Sequence, residues 1–155
     1  MSETNLLKVD PLLDGVQPST TPVSREAMEL AEFIKDRSHP LVDRTESYQD
    51  IISLEIGDTP LTRMRNVERE AGLRQLYIKF EGGNPSGTQK DRIAFAQCLD
   101  AMRRGYDTIS VATCGNFGAA TAQAAFLAGL HCKVFIPETY HTDRISEMAS
   151  YGAEV

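Results

Sequence analysis

An α/β fold built on a parallel sheet, with helices on both faces, is what this sequence predicts, and three observations carry that expectation. From Leu76 onward, apolar runs of about five residues alternate with helical stretches of ten or more, the pattern of βαβ units. Glycine-rich or small-residue loops separate the runs at 81–88 and 113–116. The chain has 155 residues, 41% of them hydrophobic, enough for one ordinary core.

The elements follow in order. Residues 1–23 mix Pro11, Pro18 and Pro22 with Ser and Thr and show no period, so a loose amino-terminal arm is expected there, with the folded unit over 24–155. Ser24 is placed to cap a helix in "REAMELAEFIKDR", where Ala27, Leu30, Ala31 and Ile34 share a face. "IISLEIGDTPL" reads as a short strand ending in a Gly57-Asp58-Thr59-Pro60 turn. "TRMRNVEREAGL" predicts a helix with Met64, Val67 and Ala71 on one side, stopped at Gly72.

Then come the strand "LYIKF", the loop 81–88, the helix "QKDRIAFAQCLDAMRR" and the strand "TISVAT". The loop "CGN", the helix "FGAATAQAAFLAGL", the strand "CKVFIP" and the helix "TDRISEMASYG" complete the series. With only Thr121 and Gln123 polar, the helix from Phe117 is expected to be buried on most sides. "YGAEV" looks like a helix stop followed by a strand that ends as it starts, so the chain reads as stopping before its fold is finished. In parallel sheets ligands gather beyond the carboxyl ends of the strands, which would bring loops 81–88, 113–116 and 137–141 onto one rim.

Composition narrows the function. With 22 acidic and 16 basic residues the formal net charge is -6, which gives no general attraction to nucleic acid or anionic lipid. No apolar run approaches the roughly 20 residues of a membrane helix, and "MSETNLLKVDPLLDGV" lacks the regions of a signal peptide, so a cytoplasmic protein is expected. Cys98, Cys114 and Cys132 form no CxxC pair, and His39, His131 and His141 lack ligand spacing, so no metal site is expected. Cys98 and Cys132 are expected in the core, and Cys114, with no His paired to it in the sequence, as a small loop residue.

The stretch "EGGNPSGTQKDRIA" is the chemical focus. Gly82 and Gly87 have the glycine spacing of a P-loop, but Thr88 and Gln89 intervene before Lys90, and "TISVAT" offers no Asp for magnesium. Lys90 reads instead as a nucleophile. An amine in the first turn of a helix lies near the positive end of the dipole, which disfavours the charged form and suits a lysine that bonds an aldehyde such as pyridoxal phosphate. Asp91 and Arg92 are expected to be structural partners at that helix start.

"GDTPLTRM", "LYIKFEGGNPSGTQKDR", "ATCGNFGAATAQAA", "VFIPE" and the closing "GAEV" together resemble the consecutive motifs of the fold type II, or beta-family, pyridoxal-phosphate enzymes. Among the subfamilies, "SLEIGDTPL" followed by "GGNPSGTQKDR" is most similar to threonine synthase. The resemblance covers residues from about 50 to 155. It implies the amino-terminal portion of a two-domain architecture, pyridoxal 5'-phosphate as cofactor and a lyase acting on a small amino-acid substrate. A homo-oligomer, or pairing with a carboxy-terminal half, is implied as well. For a threonine synthase-like member the reaction is O-phosphohomoserine to threonine and phosphate; dehydratase and cysteine synthase chemistry would use the same residues, and a truncated half inactive without a partner chain is a further reading. By position, Lys90 matches the family's Schiff-base lysine and proton carrier, Asn116 the asparagine on the pyridine hydroxyl, and Thr113, Cys114, Gly115 and Phe117 the loop receiving the substrate carboxylate. That carboxylate is expected on backbone N–H groups at a helix start, with no Arg required. Thr88 and Gln89 stand where the family usually has Ser and a bulky apolar residue, and the family's phosphate loop and pyridine-nitrogen partner would lie beyond Val155.

Overall fold

The computed structural model describes residues 23–113, 115–140 and 142–155; nearly all of the expected amino-terminal arm lies outside these residues, as do Cys114 and His141. Helix α1 spans Arg25–Lys35, and Ser24 Oγ accepts its first hydrogen bond from the Ala27 amide at 3.1 Å. Ala27, Ala31 and Ile34 recur at helical spacing and are fully buried, while Leu30 is only half-buried.

The next element corrects the sequence expectation. "IISLE" is the end of a helix, α2 (Leu41–Glu55), and no strand forms there. The β-branched pair Ile51-Ile52 suggests a strand in isolation. The decisive spacing is longer: Arg44, Thr45, Tyr48 and Ile51 all fall on the buried side of four helical turns. Tyr48 is wholly buried, stacks on Phe95 with ring centroids 6.0 Å apart, and donates its hydroxyl to the Ala124 carbonyl at 3.0 Å. Tertiary packing outweighs the strand propensity of the two isoleucines.

Strand β1 (Leu61–Arg63) and strand β2 (Tyr77–Lys79) pair antiparallel in the register Leu61↔Lys79, with helix α3 (Arg65–Ala71) between them. "LYIKF" therefore belongs to a separate hairpin and not to the parallel sheet. The face expected for α3 is also corrected. Val67 and Ala71 are exposed, and the buried residue is Glu68, whose carboxylate takes both ends of the Arg63 guanidinium and the Leu76 amide. A polar tie, which apolar periodicity does not report, anchors this short helix. Gly72 closes it in the left-handed conformation, as expected.

Helix α4 spans Lys90–Arg103, strand β3 Thr108–Ala112, helix α5 Asn116–Ala128, strand β4 His131–Phe135 and helix α6 Ile145–Ser150. β3 and β4 are parallel, in register from Thr108↔His131 to Ala112↔Phe135. Glu154 adds an isolated parallel bridge to Lys133 on β4. Helix α5 is the centre of the molecule. It contacts α1, α4, α6, β3 and β4, and its residues from Gly118 to Ala125 are all buried. Cys98 and Cys132 lie in this core, where burial pushes their thiols up to about 12 and about 11.

The turn before β1 is tied to the loop before α4 by a dense polar set. Asn84 Oδ1 accepts from the Gly57 amide at 3.1 Å, Thr59 Oγ1 donates to Glu81 at 3.1 Å, and Lys79 Nζ donates to the Thr59 carbonyl at 2.7 Å. Arg92 grips Glu81 at 2.7 and 3.0 Å and also donates to the Gly57 carbonyl. Gly57 has φ +95, a backbone conformation that favours glycine, and a Cβ there would fall 2.6 Å from Arg92 Nη1, so the guanidinium would have to shift to admit one. The Arg92 bonds, helped by Thr59 and Asn84, hold the Glu81 carboxyl down at about 2.

Two outcomes are expected. Tyr48→Phe should lower unfolding free energy by about 1 kcal/mol through the lost hydrogen bond, and Tyr48→Ala by about 3–5 kcal/mol through the cavity, both read from urea midpoints. Equal midpoints for Phe and Ala would show that the ring carries no packing load. Because the folded pKa of Glu81 lies below its unfolded value, its stabilisation is complete above the ordinary carboxylate range and is lost as pH falls toward 2. Thermal melts of Glu81→Gln should therefore differ from wild type at pH 7 and converge with it near pH 2; a constant gap across that range would overturn the assignment.

Candidate active site

The residues singled out by the sequence converge. A cavity of about 590 Å³ is lined by Lys90, Thr113, Gly115, Asn116 and Phe117 together with Tyr140, Thr142, Asp143 and Arg144. Cys114, assigned with them by resemblance, lies outside the described residues. The cavity sits past the carboxyl ends of β3 and β4, between Thr113, Gly115 and Asn116 on one side and Tyr140, Thr142 and Arg144 on the other, and loop 81–88 joins them through Ser86.

Lys90 is placed by the turn before it. Gly87, at φ +77, reverses the chain with its amide on the Asn84 carbonyl at 2.8 Å, and Thr88 Oγ1 accepts from the Lys90 amide at 3.0 Å. The Thr88 hydroxyl thus does the capping at the start of α4. Asp91 is fully buried and receives both the amide of Ser86, at 2.8 Å, and its hydroxyl. Burial pushes the Asp91 carboxyl up, while the Ser86 bonds and the Arg144 charge pull it down. Among the described residues, Lys90 Nζ has no hydrogen bond or ion pair, so the amine is available to the cavity.

On the opposite side α5 begins. Its preceding residue Gly115 has no side chain to cap with, and no acceptor among the described residues takes the amides of Asn116 or Phe117. These are two orphan donors at the positive end of a helix dipole, suited to a carboxylate or another anion. Asn116 is the first helical residue and caps nothing: its Oδ1 accepts from Arg144 Nη1 at 2.7 Å. Gly118 permits the close packing behind it, since a Cβ there would come within 2.8 Å of Met148 Cε and 3.1 Å of Thr113 Cγ2.

Arg144 is the residue the sequence did not disclose. Its Nε and Nη2 form a two-point pair with Glu147 at 2.8 Å each, and Nη2 also donates to the Ser86 carbonyl at 2.8 Å. The Arg144-Glu147 spacing of three is legible as a helical ion pair. Its reach to Ser86 and Asn116 needs the fold. An arginine thus stands beside the anion site that was expected to need none.

The donor set fits pyridoxal phosphate: a primary amine for an aldehyde and backbone N–H groups for negative charge, both without partners among the described residues, an amide for a ring oxygen, and a guanidinium. Among the described residues no helix is long and apolar enough to cross a membrane.

Comparison with known proteins agrees with this donor set. Cysteine synthase B of Salmonella typhimurium is 36% identical over 104 residues, covering 64% of this chain and 34% of that protein. Threonine synthase of Methanocaldococcus jannaschii is 37% identical over 106 residues, covering 68% of this chain and 26% of that one. A crystal structure of a pyridoxal 5'-phosphate-dependent aspartate racemase superimposes with a TM-score of 0.62 at 33% identity, over 74% of this chain and 36% of the other. The chain thus spans about a third of the cysteine synthase and about a quarter of the threonine synthase. Residues 52–155 match the model of the pyridoxal-phosphate dependent enzymes, and the chain belongs to that family.

Proposed function

We propose that this chain forms the lysine-bearing part of a pyridoxal-phosphate lyase of threonine synthase type, converting O-phosphohomoserine and water to threonine and phosphate. The observation that carries the proposal is the Lys90 amine, unpaired among the described residues, facing across one cavity the amide of Asn116 and the N-terminus of α5. The motif order and the 37% identity to a threonine synthase support the substrate.

When bound, the cofactor supplies an electron sink for the charge left as a bond at the substrate's α carbon breaks. Lys90 would hold it through Nζ, and the same amine, displaced by the substrate's amine, would take and return protons at the substrate carbons. Asn116 would direct its Nδ2 donors to the ring oxygen. The amides of Asn116 and Phe117, with Gly115 and Thr113 beside them, would receive the substrate carboxylate, and Cys114 is assigned to the same loop. Orienting the carboxylate fixes the α carbon relative to Lys90 Nζ, which is where such a site gains rate. Closure of residues 113–117 over the substrate would exclude water from competing proton transfers.

Replacement chemistry of the cysteine synthase kind is favoured by a specific finding as well, the 36% identity to cysteine synthase B. The same lysine and asparagine would serve, with an activated serine as substrate. The limited coverage of both relatives favours a chain that acts together with a carboxy-terminal portion.

Titration of the chain with pyridoxal phosphate should produce a visible absorption band that is absent from Lys90→Ala. Matching spectra for the two proteins, both equal to free cofactor, would sink the cofactor-holding role of this chain. If the band forms, phosphate release from O-phosphohomoserine against cysteine formation from an activated serine and sulfide separates the two substrates. Addition of a carboxy-terminal portion from a threonine synthase tests whether activity needs it.

A further inference from the structure

Arg144 bonds both walls of the cavity. Its Nη2 donates to the carbonyl of Ser86, in the turn that leads to Lys90, and its Nη1 donates to Oδ1 of Asn116, on the first residue of α5. Glu147 holds the guanidinium at two points, fixing its plane, and the Arg144 amide is turned by Thr142 Oγ1 at 3.3 Å. The Arg144 side chain is 22% exposed, so this fork is partly shielded from solvent.

A guanidinium has donors and no acceptor. Whatever amide atom faces it must therefore be oxygen, because the flipped amide would set N–H against N–H. The consequence is directional: with Oδ1 committed to Arg144, Nδ2 is the atom Asn116 has left for a ligand. Without Arg144 the two orientations of the amide lose their main difference in energy, and only one of them can donate to an acceptor oxygen.

Resting on the cofactor reading above, we propose that Arg144 is a positioning residue that polarises Asn116, so that its amide presents N–H donors to the ring oxygen of pyridoxal phosphate. Lysine cannot substitute for it. An ammonium keeps the charge but lacks the planar fork that satisfies Glu147, Ser86 and Asn116 together.

The first measurement uses the unliganded full chain labelled with nitrogen-15. In Arg144→Lys the Asn116 side-chain amide resonances should shift and broaden, while those of Asn84, whose amide is held by Glu81, stay in place. Glu147→Gln, which keeps the arginine and loosens its anchor, should move the same resonances less. The second is a double-mutant cycle on the dissociation constant for pyridoxal phosphate. Arg144→Lys and Asn116→Ala should each weaken binding about tenfold, and the double variant should be no weaker than Asn116→Ala alone. Urea midpoints of all variants separate this from a loss of fold. Unmoved Asn116 amide resonances in Arg144→Lys, or full additivity in the cycle, would overturn the assignment. A wild-type chain without a Lys90-dependent band counts against the cofactor reading alone, and the amide resonances then decide the Arg144 contact independently.

Discussion

The rest of the structure depends on the burial of α5. Ten of its thirteen residues are buried, and most are Ala or Gly. Small side chains lose little rotamer entropy on burial and let neighbouring elements approach closely. The helix can thus be surrounded by α1, α4 and α6 as well as by β3 and β4. Its two ends are consequently fixed with respect to everything else. Gly129 stops it in the left-handed conformation, and its amino terminus opens into the cavity. A helix anchored along its length can leave its first amides unsatisfied, because packing and not capping supplies its stability.

Lys90 is held by different means. The loop that precedes it contains almost no apolar anchoring, and its shape is kept by Asn84, Ser86, Asp91 and Arg92. Asp91 shows how the balance works. A buried carboxylate is costly, and two donors from one serine with the nearby Arg144 charge offset only part of that cost, since burial still leaves the Asp91 carboxyl raised. Gly57 and Gly87, at φ +95 and +77, supply the left-handed backbone that these turns need. The Lys90 amine itself takes no part in these bonds.

Much of this was legible in the sequence, for identifiable reasons. The alternation after Leu76 disclosed β3, α5 and β4 because each repeats a local pattern of adequate length. Ser24 disclosed the start of α1. The ordered motifs group Lys90, Thr113, Gly115, Asn116 and Phe117, and these five line one cavity. What failed were elements governed by distant partners. α2 depends on Tyr48 reaching Ala124, seventy-six residues away, and "IISLE" alone carries the opposite signal. The placement of β2 depends on β1, and a three-residue strand has too little pattern to show whether it runs parallel or antiparallel to its neighbour. Arg144 was missed because its ion pair with Glu147 is local, whereas its contacts with Ser86 and Asn116 are not.

The family match begins at residue 52, yet the core does not. Ala27, Ala31, Ile34, Tyr48 and Ile51 are all fully buried and all precede it. Through them α1 covers α5, and α2 covers α4. Removing that apolar cover would expose surface at about 25 cal/mol per Å² on two helices that begin beside the cavity. The amino-terminal helices therefore belong to the site's scaffold as much as the motif-bearing segment does. The opposite condition holds at the β1 and β2 hairpin, where Leu61, Tyr77, Ile78 and Phe80 remain exposed on a two-stranded sheet. A hairpin of this size gains little stability from its own ladder. It keeps its place because Lys79, Thr59 and Glu81 bind it to the loop that carries Lys90, so the placement of Lys90 and the retention of the hairpin rest on the same set of hydrogen bonds.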